Sequence, residues 1–252
     1  MHHTTNINLE FDINQKLSNN LKIKDYAFNG LQIKGKKIIK TVIIGVTICQ
    51  ELIEFAILQN ADAIIVHHGL FWNNNDEILY GTRKSRLKKI LKNNINLYAW
   101  HLPLDLHPQL GNNAQFAKLL SINIDKILRP CIFFGTINYK IDCSQFKILL
   151  EKKLKRKILH FNTKNSSSEI KKIAWCTGSG HKFFETAIEE GIDAFISGEA
   201  SESTIYIAQE RSVHFYEAGH HATEIGGVKA LGKWIKKKYQ LKVIFFDFMN
   251  PI

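Results

Sequence analysis

The sequence predicts an α/β fold built from two related lobes with mostly parallel sheets. Short apolar, β-branched runs alternate along the chain with stretches that have the apolar spacing of a helix, and this order is typical of a mostly parallel sheet. The same arrangement occurs once in each half of the 252 residues. We therefore expect one unit made of two approximate lobes, residues 1–125 and 126–252.

The first half begins with a βαβ unit, in which two buried strands flank a helix. Further alternation of helices and strands follows it. In chain order we expect a strand at 39–46, a helix at 50–59, a strand at 63–66, a lysine-rich helix at about 82–93, a strand at 96–100 and a helix at 114–120.

The second half repeats this alternation after a less regular stretch, residues 121–170. That stretch includes the polar loop 162–168, and we expect it to hold a smaller substructure or the lobe connection. In chain order we then expect a strand at 173–176, a helix at 182–190, a strand at 193–197, a helix at 201–210, a strand at 214–217 and a helix at 227–239.

Two pairs of segments occupy equivalent places in the halves. Residues 62–67 correspond to 193–198, and residues 97–101 correspond to 215–220. Ligands of open α/β sheets collect outside the carboxyl ends of the strands. We therefore expect the two lobes to face each other across a central cleft, where four strand ends meet.

The composition agrees with a folded protein that keeps reduced thiols. The chain is 45% apolar, and none of its apolar runs approaches the ~20 residues of a membrane span. Its first residues lack the basic and apolar regions of a signal peptide, so we expect a cytoplasmic protein. The four cysteines form no C-x-x-C pair, which argues against a thiolate zinc site.

The net charge of +11 indicates an affinity for anions without identifying one. Much of it lies in lysine-rich helical stretches such as 83–89 and 236–238, where solvated helix faces are the simpler interpretation. Nucleic acid stays an alternative that charge alone supports, because the chain carries no recognition motif for it.

Histidines and carboxylates follow several of the predicted strands. Side chains alternate along a strand, so the neighbours His67 and His68 should point apart and suit two metal ions better than one. Gly69 permits a sharp turn after them. Taken alone, this pair is equally consistent with loop histidines that bind nothing.

Two further pairs contain one imidazole and one carboxylate. On the first turn of a helix, His220 and Glu224 would share one face, and the two oxygens of Glu224 could bridge two cations. Pro103 lies between His101 and Asp105, so we expect a loop there, with Asp105 as a ligand and His101 either as a ligand or as a residue that positions water. Neither carboxylate need bind a metal: the helix dipole alone favours a glutamate such as Glu224 in a first turn, and Asp105 could instead form a turn.

The motifs resemble those of the type 2 GTP cyclohydrolase I homologues, also called the Nif-three-like family, from about residue 28 to the C-terminus. The matching stretches are Val66 to Trp72, Trp100 to Pro108, Gly111 to Ala114, Ser197 to Glu199 and Gly219 to Glu224. The resemblance implies a two-lobed α/β fold, a dinuclear metal centre and a toroidal homohexamer. It implies one metal on His67, Asp105 and Glu224, a second on His68, His220 and Glu224, and His101 close to both as the candidate catalytic residue.

Mixed imidazole and carboxylate ligands suit two divalent ions such as Zn, Fe, Mn or Co. The family name implies a hydrolase that opens the guanine imidazole ring of GTP, or a related nucleotide or pterin-like ring, with metal-activated water. The alternative is a non-catalytic metal-handling or interaction protein that forms a hexameric ring. The loop Cys176 to His181 is either a phosphate cradle or a plain tight turn, and we do not assign it to the site.

Overall fold

A computed structural model describes residues 2–17, 24–72, 78–128, 131–161 and 167–252. The chain forms two compact units: unit 1 comprises residues 1–111 and 227–249, and unit 2 comprises residues 112–226 and 250–252. Among the described residues, no helix is long and apolar enough to cross a membrane. All four cysteines are described, and each is a thiol rather than half of a disulfide.

Unit 1 is built on a five-stranded sheet whose strands are, in spatial order, β13 (Lys242–Phe245), β4 (Thr41–Thr47), β5 (Ala63–His68), β6 (Asn96–Ala99) and β2 (Gly30–Ile33). All neighbours in it are parallel except β2, which runs antiparallel to β6. Its N-terminal elements are β1 (Thr4–Thr5), α1 (Asn6–Leu17), β2 (Gly30–Ile33), β3 (Ile38–Ile39), β4 (Thr41–Thr47), α2 (Gln50–Leu58), β5 (Ala63–His68), α3 (Gly81–Lys92), β6 (Asn96–Ala99) and α4 (Leu102–Leu106).

Unit 2 is built on a six-stranded sheet with the order β7-β8-β10-β11-β12-β9, in which β10, β11 and β12 are parallel. Its elements are α5 (Asn112–Leu120), β7 (Asn123–Leu128), β8 (Ile132–Asp142), α6 (Cys143–Leu154), β9 (Leu159–Phe161), β10 (Glu169–Cys176), a 3-10 turn (Gly180–Phe183), α7 (Phe184–Ile188), β11 (Ala194–Ser197), α8 (Glu202–Arg211) and β12 (His214–Glu217). The chain ends with α9 (His220–Tyr239) and β13 (Lys242–Phe245).

The α/β fold with mostly parallel sheets is confirmed. Most strands lie within one or two residues of their predicted positions, because strands covered on both faces are continuous apolar runs that stand out in a sequence. The carboxyl-terminal segment belongs to unit 1 because β13 pairs in parallel with β4.

The two units repeat the same local construction. In unit 1, the parallel strands β4, β5 and β6 are followed at the edge by antiparallel β2; in unit 2, β10, β11 and β12 are followed by antiparallel β9. Before β5, Asp62 Oδ2 accepts two backbone N–H bonds, at 2.9 and 3.0 Å. Before β11, Asp193 Oδ2 does the same, at 2.9 and 2.8 Å. The internal similarity in the sequence therefore corresponds to a repeated fold.

Buried tyrosines provide a second repeated detail. On β6, the Tyr98 hydroxyl donates to the carbonyl of Asn6 at the start of α1, at 3.0 Å. On β12, the Tyr216 hydroxyl donates to the carbonyl of Cys143 at the start of α6, at 2.9 Å. In each unit, one helix is thus attached to the third parallel strand by the same bond.

The expectation of a loop between His101 and Asp105 was wrong. Residues 102–106 form helix α4, with Pro103 in its first turn. The backbone N–H groups of a first turn have no partner within the helix, so proline, which lacks an N–H, costs no hydrogen bond there. The stretch 121–170 contains two strands and a helix before β9, and the long strand β8 pairs with both β7 and β10. Residues 162–166 of the expected loop lie outside the described residues.

Candidate metal site

In unit 1, the carboxyl ends of two neighbouring parallel strands carry the predicted ligands. We call His67, His68, His101 and Asp105 the unit 1 cluster. His67 and His68 end β5, and His101 and Asp105 follow β6. The three histidines each offer a nitrogen atom, and these atoms lie within 4.8 Å of one another. The strand ends of this unit therefore bring these side chains together.

His67 is held by a backbone carbonyl. Its ring is fully buried, and Nδ1 lies 2.9 Å from the carbonyl oxygen of Trp100. Because a carbonyl only accepts hydrogen bonds, Nδ1 carries a proton, which leaves Nε2 as the atom for a ligand role. Nε2 lies 3.5 Å from Asp105 Oδ1. This tautomer suits a metal ligand, since ligating histidines usually donate their other N–H to an oxygen.

The rings of His67 and His68 lie closer together than strand alternation predicts. Their centroids are 4.4 Å apart. His68 is the last residue of β5, so the regular pleat no longer separates it from its neighbour. Its Nδ1 lies 2.9 Å from the hydroxyl oxygen of Thr47, which leaves Nε2 as the atom for a ligand role.

His101 is oriented by Asp25, a residue that the sequence analysis did not identify. His101 Nδ1 lies 2.9 Å from Asp25 Oδ1, and both side chains are buried. Burial would raise the pKa of Asp25, but hydrogen bonds from His101, Asn29 and Ala27 outweigh it and lower that pKa to about 2. Asp25 is therefore a carboxylate at neutral pH, and it fixes the ring of His101.

In unit 2, the carboxyl ends of β11 and β12 carry a second group, Glu199, His220 and Glu224, which we call the unit 2 cluster. Helix α9 begins at His220, so His220 and Glu224 share the face of its first turn, as predicted. Their Nε2 and Oε2 atoms are 3.2 Å apart. Gly219 enters the helix with a φ of +89°, a conformation that favours glycine.

Glu199 orients the ring of His220 from the other side. His220 Nδ1 lies 2.5 Å from Glu199 Oε1. Burial would lower the pKa of His220, but the hydrogen bonds and charges of Glu224 and Glu199 prevail and raise it to about 9. A cation bound at Nε2 would replace the proton that this ring otherwise holds.

The loop after β10 lies against the unit 2 cluster. Gly178 has a φ of +64°, and a Cβ on it would come within 2.2 Å of Glu224 Oε1. The backbone N–H groups of Thr177 and Gly178 donate to Asn113 Oδ1 at 3.0 Å and to Thr223 Oγ1 at 3.1 Å. Because these two N–H groups already have acceptors, they do not cradle a phosphate, and the loop is instead part of the wall around Glu224.

The other histidines near the motifs have structural roles. His107 is buried, and its Nδ1 accepts N–H bonds from Gln109 and Leu110 at 3.0 and 2.9 Å. Burial, followed by the charge of Lys16, lowers the pKa of His107. The backbone N–H of His221 donates to the carbonyl of Ile252 at 3.0 Å. His107 therefore stabilises a local turn, and the backbone of His221 holds the C-terminal residue.

His160, which is partly buried, forms a separate pair with the buried His214 in unit 2. Its Nε2 lies 3.0 Å from His214 Nδ1, and its ring stacks on Tyr216 with a centroid distance of 4.3 Å. Burial, followed by the charge of His214, lowers the pKa of His160 from 6.5 to about 4.

We expect this pair to make unfolding pH-dependent. Since the pKa of His160 is depressed in the folded state, the unfolded chain binds the proton first, and stability is lost as the pH falls from 6.5 towards 4. In His160→Phe, the dependence of the urea midpoint on pH should become shallower across this interval. His2→Ala, at an exposed position, should keep the original dependence. An equal slope in both variants would contradict the role of His160.

The ligand atoms in each unit fit a bound cation. Bond lengths of about 2.0–2.2 Å with tetrahedral angles place two ligands of one zinc ion roughly 3.4 Å apart. The distances of 3.5 Å between His67 and Asp105 and 3.2 Å between His220 and Glu224 agree with this spacing. The nitrogen and oxygen donors suit Zn, Fe, Mn or Co.

Comparisons with known proteins give the same family throughout. The sequence model of the Duf34/NIF3 family (NGG1p interacting factor 3) matches residues 8–251. A relative in Buchnera aphidicola subsp. Schizaphis graminum, named GTP cyclohydrolase 1 type 2 homolog, is 50% identical and covers 98% of this chain and 99% of its own. A relative of the same name in Escherichia coli strain K12 is 45% identical with the same coverage.

Solved structures agree with these relatives. The protein ybgI, described as of unknown function, has a TM-score of 0.96 and 44% identity, and covers 99% of this chain and 100% of its own. TTHA1606 from Thermus thermophilus has a TM-score of 0.87 and 27% identity over 99% of this chain and all of its own.

Proposed function

Because the chain belongs to the DUF34/NIF3 family, we propose that it is a dinuclear metal-dependent hydrolase of the GTP cyclohydrolase type. Its substrate would be GTP or a related nucleotide or pterin-like compound. One observation carries the proposal: in each unit an oxygen acceptor holds a histidine through Nδ1, and a carboxylate lies at ligand spacing from Nε2 of the same ring. The relatives' name, GTP cyclohydrolase 1 type 2 homolog, supports the reaction class.

The two clusters would supply one centre for two divalent ions. Each cluster contains only part of the ligand set that the family resemblance implies, and that resemblance implies that the two clusters act together. We assign His67, Asp105 and Glu224 to one ion and His68, His220 and Glu224 to the other. Glu224 is the bridging ligand in this assignment because its two carboxylate oxygens can bind two cations.

Ring opening by this protein would be a hydrolysis. The carbon between the two imidazole nitrogens has the oxidation level of formic acid, so two water molecules release it as formate and leave two N–H groups. The ions, when bound, lower the pKa of water and supply the nucleophile. His101, which Asp25 holds through Nδ1, would exchange a proton with the ring nitrogens as their bonds to carbon break.

A nucleotide panel tests the proposed reaction. Metal-loaded protein is incubated with GTP, other purine nucleotides and a pterin, and mass spectrometry measures formate and the ring-opened product. We expect formate from at least one of these compounds, its loss in His68→Ala, and unchanged turnover in Lys236→Ala, which alters an exposed helix position. Metal exchange without product from any compound would overturn the enzyme proposal in favour of metal handling.

The histidine variants should bind metal in a graded order. Losing a residue that only orients a ligand weakens metal binding by about 10–100-fold, and losing a ligand should weaken it more. We therefore expect the weakest binding in alanine variants of His67, His68 and His220, intermediate binding in His101→Ala, mild effects at His107 and His221, and normal binding in His160→Ala. Chelator competition measures the order. Equal losses in His160→Ala and His68→Ala would contradict the assignment.

We also propose that six subunits form a closed ring, as the family resemblance implies. Light scattering at micromolar concentration should give a mass near six times 29.0 kDa. A stable monomer would count against the ring. We place this assembly in the cytoplasm, where four cysteine thiols persist without forming disulfides.

A further inference from the structure

Two aromatic side chains of unit 1, Tyr26 and Trp72, form a surface that we call the aromatic ledge. Their rings are stacked, with centroids 5.6 Å apart and an interplanar angle of 26°. Tyr26 is 50% exposed and Trp72 is partly exposed. Large aromatic rings bury most of their surface when they only stabilise a fold, so this exposed pair presents apolar ring surface to solvent.

The aromatic ledge lies directly against the unit 1 cluster. Tyr26 and Trp72 approach His101 edge-on, with centroid distances of 5.0 and 5.3 Å. Trp72 also lies 6.0 Å from the ring of His68. A flat molecule on the ledge would therefore lie beside the residues proposed to hold the metals.

Backbone contacts join the two segments that carry the ledge. Ala27 forms an antiparallel bridge with Trp72. The backbone N–H of Ala27 donates to Asp25 Oδ1 at 3.0 Å, and Asn29 Oδ1 accepts the N–H of His101 at 2.7 Å. The same carboxylate that orients His101 thus holds the Tyr26 segment. A preorganised surface loses less conformational freedom when a ligand binds.

We propose that the aromatic ledge binds the planar ring of the substrate, a purine or a pterin-like heterocycle, by stacking. This inference rests on the proposed function, which it deepens by assigning the ring-binding residues. Stacking recognises the face of a ring rather than its hydrogen-bonding edge, so the ledge selects flat heterocycles as a class. A sugar phosphate without a base should not bind there.

The partly exposed Trp72 provides a direct signal for binding. Two other tryptophans, Trp100 and Trp175, are fully buried, and Trp234 is partly exposed at another place on unit 1. In a Trp234→Phe background, GMP should therefore quench the fluorescence of Trp72, with and without added metal. Ribose 5-phosphate should neither quench it nor compete with GMP. Equal competition by ribose 5-phosphate would overturn the proposal.

Variants of Tyr26 test the stacking itself. Stacking one base on an aromatic ring usually contributes enough binding free energy that Tyr26→Ala should raise the Kd for GMP roughly 5–100-fold. Tyr26→Phe keeps an aromatic ring and should change the Kd by less than about threefold. Tyr139→Ala, which removes another exposed tyrosine in unit 2, is the matched control and should leave the Kd unchanged. An unchanged Kd in Tyr26→Ala would overturn the proposal.

Two further measurements separate the alternatives. If Tyr26→Ala changes the mass of the assembly in light scattering without changing GMP binding, the ledge is a contact with a second copy and the proposal fails. If GMP binding depends on Tyr26 although no nucleotide is opened, the ledge stands and the proposed function fails. If ring opening occurs at equal KM in Tyr26→Ala, the function stands and the ledge assignment fails.

Discussion

In Glu224→Ala, both metal ions should be lost, whereas Asp105→Ala should lose mainly one. Glu224 is the shared ligand in the proposed centre, and it is almost fully buried beside His220. In this assignment Asp105 holds only the ion that His67 also holds, and its Oδ1 lies 3.5 Å from His67 Nε2. Elemental analysis of the purified variants measures the difference, which should approach one ion per chain.

The controls for this prediction separate ligand loss from unfolding. Glu202→Ala removes an exposed glutamate from the first turn of another helix, α8, and should keep both ions. Glu224→Gln keeps the volume of the side chain, so the helix start should stay folded while the bridging charge is lost. Two ions retained by folded Glu224→Ala would show that Glu224 does not bridge.

The predictable part of the site consists of residues whose role follows from nearby sequence. His67 and His68 end an apolar run, and His220 and Glu224 have helical spacing, so each pair could be placed at a strand end before any contact was seen. The structure brings His220 and Glu224 together as their spacing predicts, whereas the rings of His67 and His68 lie closer together than the alternation of a strand predicts. Local spacing placed each pair on its element, but it gave the side-chain contact only for the pair on the helix.

The residues that orient the ligands were less predictable. Asp25 is 76 positions away from His101, and the stretch around it carries no motif of its own. Glu199 was visible as part of a Gly-Glu motif, but its contact with His220 depends on how β11 and β12 pair. Such contacts follow from strand pairing, which periodicity along the chain does not specify.

Pro103 led to a wrong prediction of local structure for a different reason. The rule that proline interrupts helices applies to their interiors, and it predicted a loop between His101 and Asp105. The helix begins at Leu102, so Pro103 falls in the first turn, where the rule does not apply. Whether Pro103 interrupts a helix therefore depends on the residue at which the helix begins, and that residue is poorly determined by sequence.

Gly178→Ala should weaken metal binding much more than Gly191→Ala. Both glycines lie in unit 2 at positive φ, +64° and +70°, so an alanine at either position introduces backbone strain of about 1–2 kcal/mol. They differ in what a Cβ would meet. Around Gly191 there is nothing within 4 Å, whereas at Gly178 the Cβ would lie 2.2 Å from Glu224 Oε1 and 3.2 Å from His220 Nε2.

Because bonds to Asn113 and Thr223 hold the backbone at Gly178, the Glu224 carboxylate is the group that must move. We expect Gly178→Ala to lower metal affinity by at least ~10-fold, the usual cost of disturbing a ligand's support, and Gly191→Ala to leave it within about twofold. Chelator competition gives both affinities, and thermal unfolding shows whether the two variants share the strain cost. Equal metal affinities in the two variants would mean that the contact between Gly178 and Glu224 does not position the ligand.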